Sequence, residues 1–273
     1  MPPLPHKFRG LTLDEFQVEA IMRLRQGTSV IVSAPTGTGK TLIADYLVSM
    51  VLEEGQRVIY TGPIKALVNQ KYRDFGAHVG REKVGIMTGD LSINPQASVV
   101  VMTTEIFRNI LLRESGRLAD VAWVIFDEIH YLDHEERGTV WEEALLFMPP
   151  NMRLLGLSAT VPNAREIGAW IQQVQDDAVA VIQHGERAVP LEHLFFNRVC
   201  QAVPRDHLLR AFVGTVGSGR DELDMKGGTL DFTEVWDSRK ARRYRDRTSH
   251  LDLVQYVARN RLFPCLFFVF SRR

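Results

Sequence analysis

Long apolar runs are the first thing this 273-residue sequence lacks. No stretch approaches the ~20 consecutive apolar residues of a membrane-spanning helix. The opening MPPLPHKFRG has none of the charged-then-apolar layout of an export signal. Cysteine is scarce as well: Cys200 and Cys265 stand far apart and in no ligand spacing, which argues against a disulfide framework and a Cys-built zinc site. The expectation is a cytoplasmic, reducing setting with no membrane partner. Net charge is also missing. Thirty-three Lys+Arg balance thirty-three Asp+Glu, so a histone-like cationic field is excluded, and nucleic-acid binding has to come from local placement of charge. Neither a repeat of fixed period nor a low-complexity tract occurs. What is present, at 45% hydrophobic and 24% charged residues, is a globular composition. On the size prior of roughly 100–200 residues per domain it amounts to one full domain and a smaller part.

From residue 28 onward, apolar runs of strand length alternate with helical patterns, as expected when parallel strands are joined by helical crossovers. Strands are predicted at Ser29–Ser33, Arg57–Tyr60, Lys83–Ile86, Val99–Met102, Val121–Phe126, Leu154–Leu157 and Val179–Gln183. Several are continuously apolar, which fits strands covered on both faces. Apolar residues at three- and four-residue spacing predict helices at Asp14–Arg25, Thr41–Glu53, Lys65–Phe75, Glu105–Arg113 and Ala164–Gln173. The fold class expected is α/β, a doubly wound parallel sheet. Past Pro204 the alternation fails. An acidic stretch with Asp221, Glu222, Asp224, Asp231, Glu234 and Asp237 precedes a basic cluster from Arg239 to Arg247, followed by a helical pattern at Leu251–Arg261 and a strand-like Pro264–Phe270. The organisation read from this is a domain at 1–203, a charged linker or insert at 204–250, and the start of a second, incomplete domain at 251–273. An apolar strand at 264–270 without sheet neighbours is a template for self-association.

Between a strand and a helix lies Ala34-Pro35-Thr36-Gly37-Thr38-Gly39-Lys40-Thr41, the setting of a phosphate-binding loop. Gly37 and Gly39 permit the curl that aims backbone N–H groups at phosphate, and the helix that follows adds its positive end. Lys40 can reach the β- and γ-phosphates, and Thr41 can offer its hydroxyl to Mg²⁺. Ala34 stands where the general pattern has glycine. Asp127-Glu128-Ile129-His130 closes the strand at 121–126, at the edge where α/β sheets bind ligands. Asp127 can hold Mg²⁺ through its water shell, and Glu128 can orient or deprotonate an attacking water. His130 and His134 have the four-residue spacing of helical zinc ligands, but His130 sits at a strand end, where that spacing loses its meaning.

In chain order, Phe16-Gln17, the loop at 34–41, G-P-I-K-A-L at 62–67, T-G-D at 88–90, T-T-E-I at 103–106, D-E-I-H at 127–130 and S-A-T at 158–160 resemble the first RecA-like domain of a superfamily 2 helicase. The stretches 63–72 and 130–143 are similar to the superkiller-type, exosome-associated DExH RNA helicases. The resemblance covers about residues 8–196. It implies a RecA-like fold, ATP and Mg²⁺ as cofactors, and ATP-driven translocation on single-stranded nucleic acid, with RNA favoured over DNA.

Carried over residue by residue, the resemblance makes Lys40, Asp127, Glu128 and His130 catalytic, with Thr41 and Asp127 toward the metal. ATP would be held by the loop residues Ala34 to Thr41. Gln17 would read the adenine edge, and Phe8 is a candidate to stack on the ring. Pro63, Lys65, Gly89, Thr104 and Glu105 would lie along the sugar-phosphate backbone, while Ser158 and Thr160 would couple nucleotide state to strand grip through His130. The family's Q-x-x-G-R-x-x-R segment, whose arginines reach the γ-phosphate from a second RecA-like domain, does not occur in these residues. The isolated chain is therefore expected to bind ATP and hydrolyse it poorly, because supplying such an arginine is worth about 10³–10⁵ in rate. A nucleotide-dependent binding module without turnover and a DNA helicase remain alternatives. A P-loop phosphotransferase is disfavoured, since T-T-E-I and S-A-T have no role in one.

Overall fold

Strands whose alternate side chains are both apolar need cover on two faces, and the chain supplies it. The computed structural model describes residues 6–187, 189–191, 194–196, 202–204, 250–262 and 264–266. A short antiparallel pair, β1 (Lys7–Phe8) and β2 (Leu11–Thr12), leads into α1 (Glu15–Arg25) and β3 (Ser29–Ser33). Then follow α2 (Lys40–Glu53), β4 (Arg57–Gly62), α3 (Lys65–Val79), β5 (Val84–Met87), β6 (Ser92–Ile93), β7 (Val99–Thr103) and α4 (Thr104–Glu114). Strand β8 (Val121–Asp127), α5 (Gly138–Leu146), β9 (Arg153–Ser158), α6 (Ala164–Gln175) and β10 (Val179–Gln183) complete the series. The eight-stranded sheet has the order β10-β3-β9-β8-β4-β7-β5-β6 and is parallel except for β6, which runs antiparallel to β5.

Period-two alternation then divides the core. Val30, Val32, Val58, Tyr60, Ile125 and Leu155 point to one face, where Ala20 and Leu24 of α1, Leu47 of α2 and Phe75 of α3 cover them. Ile31, Ile59, Val100, Val124, Phe126 and Leu154 point to the other, under Phe107 of α4, Trp141 of α5 and Ile171 of α6. The doubly wound α/β sheet is thus present, and every predicted strand and helix from residue 14 to 183 is found within a few residues of its expected ends. Helix α5 is additional. It starts at Gly138, where a Cβ would meet the Leu132 carbonyl oxygen at 2.4 Å, so only glycine lets the helix start this close to the preceding turn.

The chain separates into two compact units, 1–189 and 190–273. Of the second, the structure describes an antiparallel pair, β11 (Leu194–Phe196) with β12 (Ala202–Pro204), and α7 (His250–Arg259). That helix matches the pattern at 251–261. Pro264–Leu266 carry no strand, and the rest of the expected strand, like the charged segment 205–249, lies outside the described residues. Among the described residues no helix is long and apolar enough to cross a membrane.

Candidate nucleotide site and strand-facing edge

Because β3, β9, β8, β4 and β7 are parallel neighbours, the loops at their carboxyl ends share one sheet edge. The phosphate loop leaves β3 there. Gly37 and Gly39 have φ of 88° and 78°, the left-handed region that glycine adopts at little cost. Gly39 has a second constraint, since a Cβ would meet Gln17 Nε2 at 2.8 Å. The Lys40 ammonium donates to the carbonyls of Ala34 and Pro35. Burial holds its pKa below the ordinary lysine value, with the Glu128 and Asp127 carboxylates acting the other way. The cation therefore sits inside the loop with both acidic residues in its field.

Asp127 ends β8, and Glu128 follows with φ 55° and ψ 46°, a left-handed conformation that a non-glycine residue seldom adopts. Its backbone N–H donates to Asp127 Oδ1 at 3.1 Å, and its carbonyl accepts from Tyr131 N–H to start a 3₁₀ turn over Ile129–Asp133. That reversal leaves the Glu128 carboxylate within reach of the His130 ring. Burial, and next the Asp127 charge, push its carboxyl pKa up, while His130 and Lys40 oppose the shift.

His130 Nδ1 lies 3.3 Å from Glu128 Oε2 and 3.4 Å from the Ala159 backbone nitrogen. A bare Nδ1 accepts from Ala159 N–H, whereas a protonated one donates to Glu128, so the nitrogen serves one partner at a time. The contact between S-A-T and His130 thus comes through Ala159. Ser158 is buried, and its hydroxyl has no partner among the described residues. Thr160 is exposed.

Two further residues belong to this site and are invisible in the motifs. The Tyr60 hydroxyl, from β4, donates to Asp127 Oδ2. Burial and the neighbouring carboxylates raise its pKa well above the usual phenol value, which keeps it a donor. Ser33, the last residue of β3, donates to Ala159 O at 3.3 Å and accepts from Val161 N–H at 3.2 Å, so it clamps the S-A-T loop to the strand that feeds the phosphate loop. Tyr60→Phe is expected to cost about 1.5 kcal/mol of stability, the worth of a hydrogen bond to a charged group. An unchanged urea midpoint would show that the hydroxyl does not serve Asp127.

Thr41 at the start of α2 and Asp127 offer hard oxygen donors, a set that suits Mg²⁺ completed by water and phosphate. Among the described residues no cluster of three or more His, Cys, Asp or Glu forms a metal cage, and the zinc reading of His130 and His134 gains nothing.

Beside the loop lies a cleft of about 540 Å³ lined by Leu11, Thr12, Phe16, Gln17, Gly39, His184 and Arg187, among others. The rings of Phe16 and His184 stack at 4.5 Å. Gln17 is on the wall with most of its amide engaged. Oε1 accepts from Asp14 N–H at 2.9 Å, and Nε2 donates to the carbonyls of Thr38 and Gly39 at 3.2 and 3.1 Å. Phe8 is elsewhere: its ring meets Tyr46 and His78 edge-on, 5.3 and 6.3 Å between centroids, so it packs on α2 and α3 and does not line the cleft.

At the other end of the same edge, Lys65 pairs with Asp90 at 2.6 Å, Thr88 Oγ1 donates to Asp90 at 3.2 Å, and a Cβ at Gly89 would lie 3.9 Å from the Lys65 ammonium. The structure brings these two motifs together on an exposed surface. Pro63 is buried. Thr104 is fully buried, and its hydroxyl donates to Gly62 O at 3.5 Å, so in this structure the side chain braces the last residue of β4. Glu105 pairs with Arg137.

A sequence profile described as DEAD/DEAH box helicase matches residues 14–167. The chain is 50% identical over 192 residues to a DExH-box ATP-dependent RNA helicase of Arabidopsis thaliana, covering 70% of this chain and 19% of that protein. It is likewise 50% identical over 184 residues to the human (Homo sapiens) exosome RNA helicase MTR4, covering 67% of this chain and 18% of the relative. The chain thus spans about a fifth of the length of these relatives. Among solved structures, the helicase domain of Pyrococcus furiosus Hef superposes with a TM-score of 0.50 at 26% identity, over 63% of this chain and 38% of that one.

Proposed function

The chain belongs to the DEAD/DEAH box helicase family, and from that premise we propose that it is the ATP-binding RecA-like half of a DExH motor that moves along single-stranded nucleic acid, RNA in preference to DNA. The observation that carries this reading is the shared sheet edge. A phosphate loop with its lysine, a paired Asp127-Glu128 and the Ala159–His130 contact adjoin the Lys65 and Gly89 surface on neighbouring parallel strands.

In this reading the loop amides and Lys40 take the phosphates, and Thr41 and Asp127 would hold Mg²⁺, which would offset phosphate charge. Glu128 withdraws a proton from the attacking water. Gln17 supports adenine over guanine. Both Nε2 hydrogens are engaged, and Oε1 keeps one free lone pair, so Gln17 can accept from an exocyclic amine but has no hydrogen left to give a carbonyl. The base would lie between the Phe16–His184 pair and Leu11. His130 reports on nucleotide through Ala159. Turnover by residues 1–189 alone is slow until arginines facing the γ-phosphate are supplied. The preference for RNA rests on the names of the relatives.

Strand binding provides the test. One RecA-like half touches about three or four phosphates, so log K for a ten-residue oligouridylate should fall with log[salt] at a slope of roughly −2 to −3. Matched oligothymidylate should compete less well. A slope near zero would remove the strand from the function, and better competition by the DNA strand would reverse the preference.

A further inference from the structure

Arg137 lies within the 130–143 stretch but has no role assigned above, yet its side chain joins two motifs, G-P-I-K-A-L at 62–67 and T-T-E-I at 103–106, to the segment that follows D-E-I-H. It occupies the N-cap of α5, and its Nη2 donates both to the Pro63 carbonyl and to Glu105 Oε1. Its guanidinium carbon lies 5.6 Å from the ring centroids of Tyr131 and Trp141, which stack on each other at 5.3 Å. Tyr131 belongs to the 3₁₀ turn that begins one residue after Glu128. The close approach allowed by Gly138, whose N–H donates to His134 O at 2.7 Å, fixes the backbone from which Arg137 projects.

We propose that Arg137 is a positioning residue: it holds the loop after β4 and the first turn of α4 in the geometry that receives a strand, and ties both to the segment following Glu128. This rests on the strand-binding reading above. Charge supports it, because an unpaired Glu105 on that edge would repel phosphate, and Arg137 neutralises it. Side-chain chemistry supports it too. The task needs a donor to two acceptors that also lays a flat face near two aromatic rings, and the planar face is what guanidinium has and ammonium lacks.

Three measurements on the 273-residue chain test this. With a fluorescein-labelled ten-residue oligouridylate, Arg137→Lys and Arg137→Gln are each expected to weaken binding about tenfold with the salt slope of the parent retained, while a fluorescent ADP analogue binds within twofold. If lysine restores the affinity and glutamine lowers the slope by about 0.7–1, Arg137 contacts a phosphate directly and the proposal is overturned. In a double-mutant cycle with Glu105→Gln the losses should overlap; full additivity would show that the pair does not act as a unit. Amide hydrogen exchange at 62–68 and 104–110 should accelerate in Arg137→Lys and stay unchanged at 29–41. That readout needs no strand. Unchanged exchange at 62–68 overturns the positioning role even if the parent binds RNA, and accelerated exchange in a parent that binds none sustains the clasp while the strand-binding reading fails.

Discussion

Lys40→Ala is expected to weaken nucleotide binding by at least about 100-fold, equivalent to ~2.7 kcal/mol. The side chain is the one cation whose amino group lies within the phosphate loop, accepted by the carbonyls of Ala34 and Pro35. It also faces Asp127 and Glu128, whose charges act on its titration. Deleting it removes attraction for the incoming phosphates and takes a countercharge from the two carboxylates in front of them, so both effects have the same sign. The backbone N–H groups of the loop and the N-terminal end of α2 remain, and they set the residual affinity. Lys40→Met, which keeps the apolar stem, should lose nearly as much, because the stem contributes packing and not attraction. Fluorescence titration with an ATP analogue checks this. A variant that binds within threefold of the parent would mean that the loop amides and helix end suffice.

The strands were legible because their burial is two-sided. Ser29–Ser33 coincides with β3 residue for residue and is buried throughout, as a strand covered on both faces should be; Val179–Gln183 coincides with the edge strand β10, which is only half-buried. Motif residues on strand ends were legible for a related reason: the parallel sheet fixes where each carboxyl end falls. What the sequence concealed is mostly long-range. Tyr60 reads as one more core residue in R-V-I-Y-T-G, and its partner Asp127 is 67 positions away. Ser33 reads as a strand-ending serine until Ala159 and Val161 are beside it. His184 and Arg187 reach the cleft only because β10 pairs with β3. Helix α5 is short and begins at Arg137-Gly138 without the Ser, Thr or Asp that marks a helix start, so pattern alone passes over it. From their place in motifs, Gln17, Thr104 and Glu105 read as ligand contacts. The structure engages much of the polar capacity of each within the protein, which makes braces of Thr104 and Glu105 and narrows what Gln17 can still accept.

Glu128→Gln is the complementary expectation: nucleotide affinity within about threefold of the parent, but single-turnover hydrolysis slower by about 10²–10⁴, the usual worth of a positioned general base, or ~3–5 kcal/mol of barrier. Glutamine keeps the volume and one acceptor oxygen, and the left-handed backbone that aims the side chain is held by bonds to backbone groups, Glu128 N–H to Asp127 Oδ1 and Tyr131 N–H to Glu128 O, which the substitution leaves in place. Only the proton affinity goes. Titration then separates this residue from its neighbours. Burial and Asp127 raise the Glu128 carboxyl pKa, and a base works only when deprotonated. The parent's rate should therefore fall, as pH is lowered, at a higher pH than an ordinary glutamate would give. In Glu128→Gln the residual rate should lose that acidic limb altogether. If the variant turns over at the parental rate, the base is another group, and if it is slow but keeps the limb, the titrating group is Asp127 or His130 and not Glu128.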